Sequence, residues 1–209
     1  MKDAEELLRA ALLKLPTGLV EHVLRVVDEA ERLAAIHGVD RDAARIAALG
    51  HDILRAHSDQ RLLRIAADQG YELDASERME PVLLHGPLAV PILRERYGVV
   101  DRDVLAAVAG HTTARAGMTP LEQVLFLADK IEPEKRARAG AIDRVADLAE
   151  TDLDAAVLAY LDYHILIALD RRWPLHPNTI AARTELLARS TALLHEKSSR
   201  QAVEREFPG

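Results

Sequence analysis

The chain has 209 residues, 49% of them hydrophobic and 29% charged, a balance that excludes a disordered or fibrous polypeptide. Its formal net charge of −7 excludes the broad basic face of a general nucleic-acid binder, so the expected partner is a small molecule met by a local patch of positive charge. Zero cysteines exclude disulfides, thiolate metal sites and cysteine nucleophiles, and no apolar run approaches the roughly 20 residues of a bilayer span.

No cationic, apolar leader precedes the acidic stretch at residues 1–6, and a cytoplasmic location is the economical expectation. Helical periodicity then recurs almost throughout. Over residues 19–35, Val20, Val23, Leu24, Val27, Ala30 and Ala34 form one stripe, closed by His37-Gly38. Asp40 is placed to cap a second helix, which carries Ala43, Ala44, Ile46, Ala47 and Leu49 into His51-Asp52. A polar segment at 56–59 precedes an amphipathic stretch at 60–69, and residues 70–77 read as a loop or turn. Two helical units follow at 79–85 and 88–97, interrupted by Gly86-Pro87, where the proline can open its helix.

Residues 101–109 form the next helix, ending in His111-Thr112-Thr113. Thr119-Pro120-Leu121-Glu122 combines an N-cap, a first-position proline and an acidic third position, and starts a helix that runs to Ile131 and halts near Pro133. A basic, flexible stretch at 134–140 leads to a helix at 142–148, and Asp152 and Asp154 start another through Asp170. Arg171-Arg172-Trp173-Pro174 makes a break, and His176-Pro177-Asn178-Thr179 begins the last long helix. The expectation is one all-α domain over residues 1–196 with a polar, fraying C-terminal tail at 197–209.

Six residues carry the chemistry: His22, the doublet His51-Asp52, His85, His111 and Asp129. Four imidazoles and two carboxylates in this order read as the ligand set of a two-metal hydrolytic site gathered from successive helices. At about 100° per residue, His22 falls about 120° from the centre of its apolar stripe, at a margin where a polar group can look into a cavity. His111 continues the face of Val104, Ala107 and Val108, and Asp129 follows Leu125 and Phe126. A carboxylate continuing an apolar face is costly unless paired. Taken singly, each histidine could be structural and Asp129 could be satisfied by an arginine or a cap, but jointly the six favour metal. His37, His57, His164 and His195 join no pattern. Imidazole mixed with carboxylate suits Fe, Mn, Zn or Co better than Mg or Ca.

The order His22, His51-Asp52 and Asp129 resembles the HD superfamily of metal-dependent phosphohydrolases, with His85 and His111 similar to the extra ligands of its two-metal members. Leu83-Leu84-His85-Gly86, Gly110-His111-Thr112-Thr113, Met118-Thr119-Pro120-Leu121 and Leu127-Ala128-Asp129-Lys130-Ile131-Glu132-Pro133 resemble the YqeK-type bacterial members, as does His176-Pro177-Asn178-Thr179 with Arg183. The resemblance implies an HD-type helical bundle, two divalent ions with iron favoured, and symmetrical hydrolysis of a nucleotide substrate, diadenosine tetraphosphate, to two ADP. One ion is assigned to His22, His51, Asp52 and Asp129, the second to His85 and His111, with Asp52 bridging and a water between the ions as nucleophile.

Positive charge for the phosphates is expected from Arg55, Lys130 and Arg136, with Asp52 and Arg55 as the residues of the reaction itself. The bland alternative for each cation is a solvated surface. Thr112 and Thr113 are expected to donate to phosphate or to orient His111, or simply to end a helix. His176 and Arg183 are expected at a nucleotide pocket, or merely at a helix start. The chain departs from the family pattern at Leu19, where an arginine is usual, at Arg55, which stands for a lysine, and at Glu134-Lys135-Arg136, which shifts the basic residues. Two rivals remain: a nucleotidase or pyrophosphatase acting on mononucleotides, and a nucleotide sensor without hydrolysis. A homodimer is the expected assembly.

Overall fold

Caps, prolines and left-handed glycines cut an almost uniformly helical sequence into short rods. The structure is a computed structural model that describes residues 2–138 and 140–206. In order they form α1 (Lys2–Leu12), α2 (Thr17–His37), α3 (Arg41–Gly50), α4 (Asp59–Asp68), α5 (Ala75–Met79), a 3-10 turn (Pro81–Leu84), α6 (His85–Tyr97), α7 (Arg102–Gly110), α8 (Pro120–Ile131), α9 (Pro133–Arg138), α10 (Ala141–Ala149), α11 (Leu153–Arg171) and α12 (Pro177–Glu206). Among the described residues there is no strand, and no helix is long and apolar enough to cross a membrane.

The punctuation works as the residue types dictate. The Asp40 carboxylate accepts the N–H groups of Asp42 and Ala43, and Asp101 accepts those of Asp103 and Val104. Thr119 and Glu122 cap each other's backbone across the first turn of α8. Gly38 stops α2 in the left-handed region at φ 65°, where a side chain would be strained.

Four segments differ from the reading of the sequence. Helix α1 was not anticipated; Ala4, Leu8 and Leu12, four residues apart, are its buried stripe against α3 and α6. The loop expected at 70–77 already enters α5 at Ala75, opened by a capping box between Asp74 and Glu77. Gly86 and Pro87 do not separate two helices but sit in the first turn of α6, where proline needs no N–H partner. The basic stretch after Ile131 winds into α9, started by Pro133. Helix α12 continues through Glu206, and residues 207–209 of the expected tail lie outside the described residues.

Helix α8 is the hub: Val124, Leu125, Phe126, Leu127, Ala128 and Ile131 have no exposed surface. It packs against α2, α3, α7 and α11, while α3 also packs on α2 and α7, and α7 on α6. The elements bearing His22 (α2), His51-Asp52 (after α3), His111 (after α7) and Asp129 (α8) are therefore joined through α3 and α8 in one core, and the element bearing His85 (first in α6) joins it through α7. Close packing of that core fixes the side chains that project from it.

Candidate metal centre

Three of the imidazoles are aimed by the same local device. His51 and His111 each directly follow a helix, where the last carbonyls have run out of backbone donors. The Nδ1–H of His51 donates to the Ala48 carbonyl at 2.7 Å, and that of His111 to the Val108 carbonyl at 2.7 Å. His85, after the 3-10 turn, donates Nδ1–H to the Val82 carbonyl. A carbonyl only accepts, so each Nδ1 carries the proton and each Nε2 presents a lone pair to the site. His22 lies inside α2 instead, with Nδ1 3.4 Å from Oε1 of Glu132.

The Nε2 atoms converge on two carboxylates. Asp52 Oδ2 lies 3.8 Å from His22 Nε2 and 3.5 Å from His51 Nε2, while Oδ1 lies 3.0 Å from His85 Nε2 and 3.7 Å from His111 Nε2. Asp129 Oδ1 is 3.1 Å from His22 Nε2 and 4.0 Å from His51 Nε2. One carboxylate thus spans two pairs of imidazoles.

These donors fit a divalent cation. His51 Nε2 is buried and has no hydrogen-bond partner. The Nε2 atoms of His85 and His111 face each other at 2.9 Å although both rings spend their Nδ1 protons on carbonyls, so two lone pairs meet beside a carboxylate oxygen. A cation relieves that opposition. The C-terminal ends of α3 and α7, the negative ends of their dipoles, also point here. His22, His51 and Asp129 form one group close enough to share an ion, and His51, Asp52 and His111 a second.

Protonation agrees with ligation. Burial lowers the His51 imidazole and takes His111 down to about 4. Burial pushes the Asp52 carboxyl up, but His51 and the bonds from His111 and His85 outweigh it and hold it well below the carboxylate range. For Asp129 the opposing charges are Lys130 and Lys135, again with a net fall. Neutral imidazole and ionised carboxylate are the ligating forms. For His111 the folded value lies below the unfolded one, so the unfolded chain takes up the proton first and stability falls as pH drops through the window from about 6.5 to about 4. Metal-stripped protein is expected to lose about 2 kcal/mol between pH 7 and pH 5 from this group alone. Urea unfolding of the wild type and of His111→Gln at the two pH values checks it; the same pH dependence in both would contradict the placement of His111.

A cleft of about 740 Å³ opens over the cluster, lined by Arg25, Arg55, Thr112, Lys130 and Lys135 among others. The Lys130 ammonium lies 2.6 Å from Asp129 Oδ2 and sits over the Phe126 and Tyr160 rings. Arg55 stands exposed on the wall, and the Thr112 hydroxyl is 3.3 Å from His111 Nε2. The other four expected substrate residues lie elsewhere. Thr113 is buried, donates its hydroxyl to the Ala114 carbonyl, and receives the Thr179 hydroxyl on its own carbonyl. Arg136 reaches Asp143 at 3.4 Å, and Arg183 reaches Asp162 at 2.5 Å. His176 Nε2 meets Asp74 at the start of α5, at 2.9 Å, and lines a different pocket. Charged cleft residues not singled out from sequence include Lys135, whose Nζ bonds the carbonyl of Asp129 and lies 2.7 Å from its Oδ1, Glu132, and Arg25. A first-position proline at 133 was the available sign that this segment is helical and returns Lys135 to Asp129.

Comparison with known proteins bears on this geometry. A family model described as HD domain matches residues 19–134. The chain is 32% identical over 167 residues to a symmetrical bis(5'-nucleosyl)-tetraphosphatase of Halalkalibacterium halodurans, covering 80% of this chain and 88% of the relative. The Bacillus subtilis protein of the same name is 32% identical over 188 residues, which is 90% of this chain and 100% of the relative. A crystal structure from Clostridium acetobutylicum, described as a predicted HD superfamily hydrolase involved in NAD metabolism, superposes with a TM-score of 0.83 at 34% identity. It covers 88% of this chain and 96% of its own. Family match and donor chemistry agree on a divalent-metal site. The matched segment holds the His51-Asp52 doublet and every other residue of the cluster, and the chain belongs to the HD domain family.

Proposed function

We propose that the protein hydrolyses diadenosine tetraphosphate symmetrically, releasing two ADP, a reading supported by relatives named symmetrical bis(5'-nucleosyl)-tetraphosphatase. The observation that carries the reading is the placement of Asp52, whose two oxygens divide between the His22–His51 pair and the His85–His111 pair. A carboxylate so placed would be shared by both groups of imidazoles if each held an ion. We assign His22, His51, Asp52 and Asp129 to one ion and His85, His111 and the shared Asp52 to the other. Iron is favoured, and Mn, Zn or Co suit the same donors. When bound, such ions polarise the phosphoryl oxygens and lower the pKa of the attacking water.

The remaining work falls to the chain itself. The backbone bonds at Nδ1 hold three imidazoles in place, so no reorganisation is needed as the reaction proceeds. Arg55, Lys130 and Lys135 offer positive charge along the cleft to a tetraphosphate, on a chain whose net charge is otherwise −7. Their charge also favours the leaving diphosphate, where negative charge grows as the bridging P–O bond breaks and the new P–O bond to water forms. The Thr112 hydroxyl can donate to a phosphate oxygen. Both products are nucleoside diphosphates because the bond broken lies at the centre of the tetraphosphate.

The test is product analysis with Mn2+-loaded enzyme. ADP as the sole nucleotide product from diadenosine tetraphosphate, with mononucleotides turned over at least about 100-fold less efficiently (a difference of about 3 kcal/mol), is expected. Turnover confined to mononucleotides, or release of AMP with ATP, would overturn the proposal.

A further inference from the structure

His51, His85 and His111 each take their orientation from a carbonyl three residues earlier, at the end of a helix or turn. His22 has no such carbonyl. It lies in the second turn of the 21-residue α2, where the carbonyls behind it are engaged by the helical ladder. Its Nδ1 is met from outside, by the Glu132 carboxylate at the end of α8. Glu132 is only 2% exposed, and a carboxylate buried to that degree is costly unless its oxygens are satisfied. Its Oε2 accepts from Arg25 Nε at 2.7 Å and from the Glu134 backbone N–H at 2.9 Å, leaving Oε1 facing His22. Arg25 follows His22 by one helical turn and so shares its face of α2.

We propose that Glu132, held by Arg25, is a positioning residue that fixes the His22 imidazole with Nε2 toward the ions. One turn of α8 then supplies both groups that bracket this ring. Asp129 Oδ1 stands 3.1 Å from Nε2, and Glu132, three residues later, stands at Nδ1. The other three imidazoles are oriented by a carbonyl three residues back, whereas His22 is oriented across the α2–α8 contact. It is the ligand whose aim depends on how two helices sit together. A carboxylate behind a ligating imidazole fixes the tautomer and raises ligand basicity.

The inference rests on the metal reading of the cluster, so its readout is Mn2+ binding to metal-free full-length protein by calorimetry, without nucleotide. Glu132→Ala is expected to weaken the tightest Mn2+ site by about 10–100-fold, and Arg25→Gln by about 10-fold, the lower end of that range. Glu132→Gln keeps an oxygen in place and is expected to recover much of the affinity. In a His22→Ala background, Glu132→Ala is expected to add no further loss, because it acts only through that ring. Losses that add in the double variant would overturn the proposal, as would wild-type affinity in Glu132→Ala. If that variant does not fold, unchanged affinity in Arg25→Gln decides in the same direction. A wild-type chain that binds no Mn2+ would overturn the metal reading as well, which separates the two failures.

Discussion

Asp52→Ala is expected to reduce turnover of diadenosine tetraphosphate to less than about one thousandth of wild type, equivalent to about 4 kcal/mol of transition-state stabilisation. The size follows from what the side chain joins. Its oxygens approach all four imidazoles of the cluster, at 3.0 to 3.8 Å, and among the described residues no other carboxylate does so. Asp129 reaches only His22 and His51. Without Asp52 the His85–His111 pair keeps no anionic partner, and its opposed lone pairs lose the charge that recruits a cation. Asp52→Asn is expected to fail as well, since an amide turns an N–H₂ toward one of the two pairs. Steady-state kinetics at saturating Mn2+, with metal content measured on the same sample, checks both variants. Activity within tenfold of wild type would remove Asp52 from the mechanism. Far-ultraviolet circular dichroism separates a loss of activity from misfolding.

What could be read from the sequence was what depends on near neighbours. His51 and His111 were legible because each follows a helix whose N-cap aspartate is visible, and their orienting bonds reach back only three residues. The Thr119–Glu122 box and the apolar run behind it fixed where Asp129 would fall on its helix. The cations were harder, because a charge on a helix looks the same whether it faces water or a cleft. Lys135 and Arg136 are adjacent, and a rotation of about 100° sends one to Asp129 and the other to Asp143. Reading that segment as a flexible loop left no basis for choosing between them. His176 and Arg183 find Asp74 and Asp162, acids distant in sequence that no local pattern pairs with them. Glu132 was quoted for its place in a motif, yet its role depends on Arg25, which lies 107 residues away.

Gly86→Ala is expected to damage the site from a position that touches no substrate. Gly86 follows His85 in the first turn of α6, and a β-carbon there would stand 2.8 Å from the Val108 carbonyl oxygen, 3.0 Å from that of Ala109 and 3.1 Å from His111 Nδ1. The Val108 oxygen is the acceptor that orients His111. A methyl group therefore intrudes on the bond that aims one imidazole, beside the backbone that carries the other. Two backbone oxygens cannot rotate aside as a side chain can, so α6 and α7 must separate. Overpacking of this kind costs about 1–3 kcal/mol, against a gain of up to about 1 kcal/mol from replacing a helical glycine. Activity should fall further than stability, by about 100-fold, because displacing His85 from His111 by tenths of an ångström disturbs both. Gly50→Ala is the control: it sits just before His51, but the atoms nearest its β-carbon would be those of the Leu93 side chain, the first at 3.0 Å, which can shift. Thermal unfolding and kcat measured on both variants should show a large activity loss in Gly86→Ala alone. Equal, small losses in the two would mean that the α6–α7 contact does not set the His85–His111 geometry.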